Sequence, residues 1–407
     1  MTEAIVIIGG GHAGGSAVAF LRQYGLKGPL VLVGEEPVLP YQRPPLSKAW
    51  LKGEATAESL ALRPAKFYAT QNVDVRLGVR AEAIDRAAQT VRLSDGTTLA
   101  YHKLILATGS RARPLPIPGR ELAGVLELRT AADADQLQAA LKPGARLVVV
   151  GGGYIGLEVA ASALALGASA VVLEREARVL ARVASEPFSA FVQAYHQGKG
   201  VDVRCGASVA GLEGADGRVS GVRLADGSLL PCDVALLGVG ALANDGLAQA
   251  AGLECQNGIV VTLAAQTSDP AIYAIGDCTN RPQPLYQRSH RLESVPNAIE
   301  QAKQAAADIT GRAPPNPELP WFWSDQFDLR LQMAGLPFGA TQLVLRGTPD
   351  VAGFAVFQLG PNYAVLAVEA VNAPEMFMAG RLLAGQQKQV APALLADLSL
   401  SLKDLAA

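Results

Sequence analysis

Two stretches of the chain share one pattern of apolar and polar positions. Residues 5–35 read IVIIGGGHAGGSAVAFLRQYGLKGPLVLVGE, and residues 147–174 read LVVVGGGYIGLEVAASALALGASAVVLE. Each stretch begins with a short apolar run, continues through closely spaced glycines into a helix-like segment, and ends with a second apolar run. The pattern predicts a strand, a helix and a second strand in each block, which is the βαβ unit of a parallel sheet.

A segment of alternating apolar and polar residues follows each block. Asp-Gly pairs at 95–96, 216–217 and 226–227 interrupt these segments and predict tight turns between antiparallel strands. Each segment closes with a buried run that ends in glycine, at Gly109 and at Gly240. Because the repeat covers whole domains, we expect an α/β fold with two Rossmann-like dinucleotide-binding domains.

Composition narrows the classes of function. The chain has 407 residues, half of them hydrophobic, and a net charge of -2, which is typical of an ordinary soluble globular protein and argues against a nucleic-acid-binding protein. Its four cysteines lie far apart and form no C-x-x-C pair, so we expect neither a disulfide framework nor a metal site. The first residues carry no export signal, and glycines and Glu158 interrupt the apolar run 147–173, so we expect a cytoplasmic protein without a membrane span.

The glycines of the two blocks form a dinucleotide-binding fingerprint. They read Gly9-x-Gly11-x-x-Gly14 and Gly151-x-Gly153-x-x-Gly156. In this fingerprint the first glycine makes a tight turn, the second lets the backbone approach a pyrophosphate, and the third lets helix and strand pack closely. Two fingerprints predict two dinucleotides, and the economical pair is FAD with NAD(P)H.

An acid follows each fingerprint at the end of the second predicted strand. Glu35 lies 21 residues beyond Gly14, and Glu174 lies 18 residues beyond Gly156. A carboxylate at this place accepts hydrogen bonds from a ribose hydroxyl and repels a 2'-phosphate. Glu174 therefore favours NADH over NADPH, although the neighbouring Arg175 could also accept a phosphate.

Seven motifs in this order resemble one enzyme family: GGGHAGG, RPPLSK, LATGS, GGGYIGLE, IYAIGDC, RLESVPNAIEQA and PWFWSDQFD. The chain resembles the NADH-dependent ferredoxin reductases of bacterial cytochrome P450 and ring-hydroxylating dioxygenase systems, the putidaredoxin reductase type. The resemblance implies a discontinuous FAD domain (1–112 and 246–318), an inserted NADH domain (113–245) and a C-terminal α+β domain (319–407). One departure is the loop 241–253, ALANDGLAQAAGL, which keeps Asn244 but lacks the family's proline, so NADH affinity is expected to differ more than the fold.

The resemblance also implies roles for individual residues. The residues expected to bind FAD are Gly9, Gly11, Ala13, Gly14, Glu35, Arg43, Lys48, Ala81, Gly109, Arg129, Asp277, Val295 and Trp323. Those expected to bind NADH are Gly151, Gly153, Ile155, Gly156, Glu158, Glu174, Arg182 and Gly240. Lys48 and Glu158 are the expected catalytic pair, tuning hydride transfer through charge. Taken alone, Asp277 could cap a helix, Arg43 and Lys48 could be solvated, and Trp323 could be part of a core.

The remaining question for the sequence is the electron acceptor. No cysteine precedes Cys205, which argues against thiol chemistry and favours a one-electron protein acceptor. The expected acceptor is a small acidic [2Fe-2S] ferredoxin that binds transiently and supplies an oxygenase, with Arg288, His290 and Arg291 as a possible basic docking face. Rubredoxin reductases, monodehydroascorbate reductases, a plain NADH oxidase and a non-catalytic NADH-sensing flavoprotein like apoptosis-inducing factor remain alternatives.

Overall fold

A computed structural model describes residues 4–406 of the chain. The described residues divide into two compact units. The first unit comprises residues 4–43, 57–111 and 242–320, and the second comprises residues 44–56, 112–241 and 321–406. The three domain boundaries expected from the sequence stay a prediction.

Strands and helices alternate through both units. In chain order the strands are β1 Ile5–Ile8, β2 Leu30–Gly34, β3 Val73–Leu77, β4 Ala81–Asp85, β5 Thr90–Leu93, β6 Thr98–Ala100, β7 Lys103–Leu106, β8 Ser110–Ala112, β9 Val125–Leu126, β10 Arg146–Val150, β11 Ser169–Glu174, β12 Asp202–Cys205, β13 Val209–Ala215, β14 Arg218–Leu224, β15 Leu229–Pro231, β16 Val234–Leu237, β17 Ala241–Ala243, β18 Ile259–Val260, β19 Ile272–Ala274, β20 Thr279–Gln283, β21 Arg288–His290, β22 Trp321–Gln326, β23 Leu329–Gly335, β24 Gln342–Arg346, β25 Phe354–Leu359 and β26 Val365–Val371. The helices are α1 His12–Gln23, α2 Ala57–Leu60, α3 Ala65–Thr70, α4 Ala131–Ala140, α5 Tyr154–Ala165, α6 Glu186–Gly198, α7 Gly246–Ala250, α8 Val295–Ile309, α9 Pro374–Gly385, α10 Pro392–Ala396 and α11 Leu402–Ala406. No helix within residues 4–406 is long and apolar enough to cross a membrane.

A five-stranded parallel sheet organises the first unit, in the order β19-β7-β1-β2-β3. β1 lies in the middle and is buried on both faces, as its unbroken apolar sequence predicts. Ile5 and Ile7 pack into the cluster formed with α1 and α8, whereas Val6 and Ile8 pack into the cluster on the opposite face. The predicted hairpin at Asp95–Gly96 is confirmed, since it joins the antiparallel strands β5 and β6.

The second unit repeats this plan. Its parallel sheet has the order β12-β11-β10-β16-β9, and α5 follows the central strand β10 as α1 follows β1. The two predicted turns at Asp216–Gly217 and Asp226–Gly227 join β13, β14 and β15 into an antiparallel sheet. The predicted fold class, with two Rossmann-like βαβ domains, is therefore confirmed.

The second unit also contains a separate antiparallel sheet, in the order β22-β23-β26-β25-β24, against which α9 packs. Part of its apolar surface packs against the parallel sheet of the same unit. Leu331 and Phe354 from this sheet belong to the same buried cluster as Val149 of β10 and Phe188 of α6. The C-terminal sheet and the parallel sheet of this unit therefore share one hydrophobic core, which fixes β22 relative to α5.

Arg346 connects the segment 395–400 to the C-terminal sheet through hydrogen bonds. This arginine of β24 is 5% exposed, and its guanidinium donates hydrogen bonds to three carbonyl groups. The acceptors are Leu395 O at 2.9 Å, Asp397 O at 2.7 Å and Leu400 O at 2.6 Å. These three bonds attach the segment 395–400 to β24.

We predict that Arg346→Met lowers the melting temperature of the protein by on the order of 5 °C. Three carbonyls would lose their shared donor, and leaving buried acceptors unsatisfied costs about 1–3 kcal/mol. Thermal unfolding followed by circular dichroism measures the change. Arg330→Met is the control, because Arg330 lies on β23 of the same sheet with an exposed side chain. Equal melting temperatures for the two variants would contradict the role given to Arg346.

Candidate functional site

The first fingerprint forms a tight turn between β1 and α1. Gly9 adopts φ +122°, and a Cβ atom added there would lie 2.1 Å from the Ala107 carbonyl oxygen. A Cβ atom on Gly14 would lie 1.9 Å from the Gly9 oxygen. Packing within the protein therefore requires these two glycines. Gly11 is different, since its added Cβ would meet only Arg43 Nε, at 3.9 Å.

The open side of Gly11 fits a phosphate group. Gly11 is the N-cap of α1, and its lack of a side chain leaves the first amide groups of the helix without a side-chain cap. Helix N-termini of this kind bind phosphate through their free N–H groups and the helix dipole. No packing constraint explains Gly11, so the approach of a pyrophosphate is the physical reason that remains.

Asp277 lies close to this turn. It follows β19, and a Cβ on the preceding Gly276 would lie 3.0 Å from the Cβ of Ala13 in α1. Ser110 Oγ donates to Asp277 Oδ2 at 3.0 Å, and the Gly276 amide donates to Gln301 Oε1 at 2.8 Å. Gln301 Nε2 is buried and has no hydrogen-bond partner among the described residues, so this donor is available to a polar ligand or an ordered water.

The other predicted FAD residues fall in both units. Val295 is the first residue of α8, whose N-cap is Ser294, and Gly109 follows β7. Glu35 directly follows β2 and is largely exposed, 3.6 Å from Arg80. Arg43 is bound by Glu36 at 2.6 Å, and Ala81 begins β4. Three further residues, Lys48, Arg129 and Trp323, belong to the second unit.

The second fingerprint has the same geometry as the first. Added Cβ atoms on Gly151 and on Gly156 would each lie 2.4 Å from a backbone carbonyl oxygen, whereas one on Gly153 would meet nothing within 4 Å. Gly153 is the N-cap of α5, again without a side-chain cap. Of the three glycines only the middle one has open space beside it, and this space fits the pyrophosphate of a second dinucleotide.

Glu174 is held against this turn. Its Oε2 accepts the Gly152 amide at 2.8 Å and its Oε1 accepts the Glu176 amide at 2.9 Å, so the carboxylate stands at the end of β11 in a fixed orientation. Arg175 is exposed and bonds to Glu176 at 2.9 Å. The arginine that could have accepted a 2'-phosphate thus has a carboxylate partner of its own.

The remaining predicted NADH residues surround the same loop. A Cβ on Gly240 would lie 3.6 Å from Arg182 Nη2, so these two residues are neighbours although 58 positions separate them. Ile155, in the first turn of α5, is 49% exposed. An apolar group of this kind suits contact with a ligand ring.

Glu158 and Lys48 form a buried ion pair within the second unit. Lys48 Nζ lies 2.7 Å from Glu158 Oε2, with side chains 19% and 7% exposed. Lys48 Nζ also donates to the Pro44 carbonyl at 3.0 Å. The pair that the family resemblance implied is thus brought together, across 110 positions of sequence.

Three serines that sequence reasoning missed complete the surroundings of Glu158. Ser47 Oγ donates to Glu158 Oε2, and Ser324 Oγ donates to Oε1 at 2.5 Å. Ser162, one turn after Glu158 on α5, donates to the Ser47 carbonyl at 2.7 Å. Ser47 and Ser324 lie within the motifs RPPLSK and PWFWSDQFD, which could have drawn attention to them, whereas no motif marks Ser162.

Aromatic residues of β22 pack together. The rings of Trp321 and Trp323 lie 5.7 Å apart between centroids, and the Arg381 guanidinium lies 5.3 Å from the Trp321 ring. Trp321 also approaches Phe377 of α9 at 6.1 Å. The core interpretation of this cluster is therefore supported for Trp321, while the role of Trp323 towards FAD stays a prediction.

Two other predictions concern loops of the first unit. Asn244 exchanges hydrogen bonds with Thr108, whose hydroxyl donates to Asn244 O at 2.7 Å and whose carbonyl accepts Asn244 Nδ2 at 2.9 Å. The loop without the family's proline is thus anchored through its asparagine.

In the expected docking face, Arg288 is exposed, but the Arg291 side chain is 12% exposed and pairs with Glu293.

All four cysteines are free thiols. Burial raises the pKa of Cys232 and of Cys255 to about 11, and burial likewise raises the pKa of Cys205 and Cys278. Thiols of this kind stay protonated at neutral pH and are poor nucleophiles. Within residues 4–406, no three His, Cys, Asp or Glu side chains are grouped so that they could hold a metal ion.

Comparison with known proteins identifies two family models that together cover most of the chain. Residues 3–302 match the family described as pyridine nucleotide-disulphide oxidoreductase, and residues 321–406 match the family described as reductase C-terminal. Both fingerprints and the Lys48–Glu158 pair fall within the first match.

Individual relatives are similar over their full length. The chain is 53% identical to the probable ferredoxin reductase CtmF of Castellaniella defragrans, covering 93% of both proteins. It is 44% identical to the putidaredoxin reductase CamA of Pseudomonas putida, covering 100% of this chain and 97% of the relative. Among solved structures, the covalent putidaredoxin reductase–putidaredoxin complex matches with a TM-score of 0.96 at 44% identity, covering 99% of this chain and 98% of the other.

We predict that Lys48 and Glu158 are energetically coupled. Lys48→Met leaves a buried carboxylate without its counterion, and breaking one side of a buried pair is costly, whereas the double variant with Glu158→Gln removes both charges. Thermal melting of the two single variants and the double variant should give a coupling free energy of about 1–3 kcal/mol.

The matched control is the exposed pair Arg204–Asp202, which has the same 2.7 Å separation but side chains 42% and 47% exposed. The cycle Arg204→Met with Asp202→Asn should give a coupling close to zero, because solvent screens exposed ion pairs. Strictly additive losses at Lys48 and Glu158 would show that the two side chains do not act as a pair.

Proposed function

Because the chain belongs to the pyridine nucleotide-disulphide oxidoreductase family, we propose that it is an FAD-dependent reductase that passes electrons from NADH to a [2Fe-2S] ferredoxin. The overall reaction oxidises one NADH to NAD+ with release of a proton, and reduces two ferredoxin molecules by one electron each. FAD supplies the chemistry that joins these halves, because it accepts a hydride and releases electrons singly. The protein's own residues bind and orient the two dinucleotides.

The observation that carries the proposal is the buried Lys48–Glu158 pair in the unit that holds the second fingerprint. Three donors surround the carboxylate, namely the Lys48 ammonium and the hydroxyls of Ser47 and Ser324. The pair is therefore held in one arrangement before any substrate binds. Fixed charges in a dry site stabilise charge redistribution without reorganisation, and the ammonium favours the arrival of negative charge as hydride.

The residues around the two middle glycines support the choice of cofactors. The loop at Gly11 with Ala13 and Asp277 would hold FAD in the first unit. The loop at Gly153 with Glu174 and Arg182 would hold NADH in the second. Glu174 would accept a ribose hydroxyl and disfavour a 2'-phosphate, so the preferred nucleotide is NADH.

The nature of the relatives supports the choice of partner. They are named as ferredoxin and putidaredoxin reductases, and one solved relative is joined to putidaredoxin. The protonated thiols argue for an outgoing path that uses no disulfide. The ferredoxin would bind transiently in the cytoplasm and carry the electrons to a cytochrome P450 or a ring-hydroxylating oxygenase.

The test is anaerobic stopped-flow spectroscopy of the purified holoprotein. NADH should bleach the flavin absorbance rapidly, and NADPH should do so much more slowly, because Glu174 repels its phosphate. Mixing the reduced protein with an oxidised [2Fe-2S] ferredoxin should then reduce the ferredoxin. A rubredoxin and an ascorbyl radical source serve as the alternative acceptors.

Three results would refute the proposal in different ways. Fast bleaching by NADH followed by transfer only to rubredoxin or to the ascorbyl radical would assign the protein to another reductase. Slow reoxidation by every acceptor would instead indicate an NADH-sensing flavoprotein. Rapid NADH consumption with oxygen alone would indicate an oxidase.

We further predict that Glu174→Gln weakens NADH binding about tenfold, since hydrogen bonds to a charged acceptor contribute about 1.5–3 kcal/mol. NADPH binding should change less or improve, because the repulsive charge is removed. Titration of both nucleotides against the oxidised holoprotein measures the change. Glu176→Gln is the control, since the Glu176 side chain faces Arg175. An unchanged preference for NADH in Glu174→Gln would contradict this assignment.

A further inference from the structure

A chain of buried hydrogen bonds leads away from the Glu158 carboxylate. Ser324 Oγ donates to Glu158 Oε1 at 2.5 Å and accepts Gln326 Nε2 at 3.0 Å. Gln326 Oε1 in turn lies 2.8 Å from His196 Nε2. Ser324, Gln326 and His196 are each at most 1% exposed, so no bulk water competes for these bonds.

The elements of the second unit place these side chains in line. Ser324 and Gln326 are two positions apart in β22 and therefore point to the same face of the strand, whereas Asp325 between them is exposed. Glu158 lies on α5 and His196 near the end of α6. The shared hydrophobic core holds all three elements together.

The bonds of this chain run in one direction. The amide oxygen of Gln326 can only accept, so His196 must carry its proton on Nε2. The amide nitrogen of Gln326 can only donate, so Ser324 must accept there, and its single proton is left for Glu158. Burial lowers the pKa of His196, which keeps the imidazole neutral. His196 Nδ1 is buried with no hydrogen-bond partner among the described residues, so no acceptor favours placing the proton there.

The opposite direction would leave Glu158 Oε1 without the donor that it has in Ser324. With the Gln326 amide reversed, its oxygen would face Ser324 and take the hydroxyl proton that Glu158 now receives. His196 would then have to accept through Nε2. The state of a histidine two side chains away thus decides whether Glu158 Oε1 is satisfied.

We propose that Ser324, Gln326 and His196 are positioning residues that hold the Glu158 carboxylate in its arrangement with Lys48 for the reaction with NADH. This inference rests on the proposed function of the Lys48–Glu158 pair. Oε2 is occupied by Lys48 and Ser47, and the bond from Ser324 to Oε1 fixes the rotation of the carboxylate. Without it the carboxylate turns more freely, and the ammonium is no longer fixed in one place.

The kinetic test uses the holoprotein and anaerobic stopped-flow reduction by NADH. Ser324→Ala should lower the limiting rate of flavin reduction about tenfold while the NADH dissociation constant stays within about twofold, because the lost bond orients and does not bind. Ser324→Thr keeps the hydroxyl and should recover most of the rate. Gln326→Met should lower the rate in the same direction by about threefold, and it serves if Ser324→Ala fails to fold.

Asp325→Asn is the matched control, since it changes the exposed residue between Ser324 and Gln326 and should leave the rate unchanged. A rate for Ser324→Ala within twofold of the wild-type rate would overturn the inference. So would a Ser324→Thr variant as slow as Ser324→Ala, because the hydroxyl would then not be the group that matters. A wild-type flavin that NADH does not reduce would refute the proposed function itself.

A second readout does not depend on activity. Nitrogen-15 NMR of the imidazole groups, assigned with His196→Gln, should show His196 as the neutral Nε2–H tautomer in the wild-type protein. The chain has four histidines, so the assignment is tractable. In Gln326→Met the imidazole loses its acceptor and its signals should shift. A wild-type His196 protonated on Nδ1 would show that the hydrogen bonds run in the opposite direction and would overturn the inference.

Discussion

The second unit depends on the burial of one carboxylate. Glu158 is 6% exposed, and an ionised carboxylate at such a place is tolerated only when a counterion and hydrogen-bond donors satisfy it. The donors come from the segment around Ser47 and Lys48 and from β22, and Ser162 fixes the Ser47 backbone in turn. The need to satisfy one charge thus ties together three segments that are far apart in the sequence.

A second constraint acts at the two fingerprints, where steric and functional demands on glycine separate. The outer glycines of each fingerprint have no room for a Cβ atom, so any protein with this turn needs them. Gly11 and Gly153 have room, and the fold alone would accept a larger residue there. Gly11 and Gly153 are each the N-cap of a helix whose first amide groups have no side-chain cap. The middle glycines are therefore explained by a ligand, and the outer glycines are explained by the packing of the turn.

How far the sequence predicts this structure depends on the range of the interaction. The βαβ blocks and the Asp-Gly turns are local patterns, and the structure confirms them. The meeting of Lys48 with Glu158 came from family resemblance and is found in the structure. Ser324 lies in a quoted motif but received no role, and His196 and Arg346 went unnoticed, because a polar residue in a sequence gives no sign that folding will bury it. Only the three-dimensional packing of β22, α6 and α10 gives them partners.

The shared hydrophobic core explains why the C-terminal sheet belongs to the site. If that sheet packed as an independent domain, Ser324 could shift relative to α5, and a hydrogen bond of fixed geometry could not be kept. Because Leu331 and Phe354 pack in the same cluster as Val149, such a shift would cost buried apolar contacts. Because burial keeps the thiols protonated, they are poor nucleophiles, and the protein acts on the reaction through charge and orientation instead. Precise placement of Glu158 is therefore a property of the whole second unit, and a core substitution far from Lys48 can alter the site as surely as a change in the pair itself.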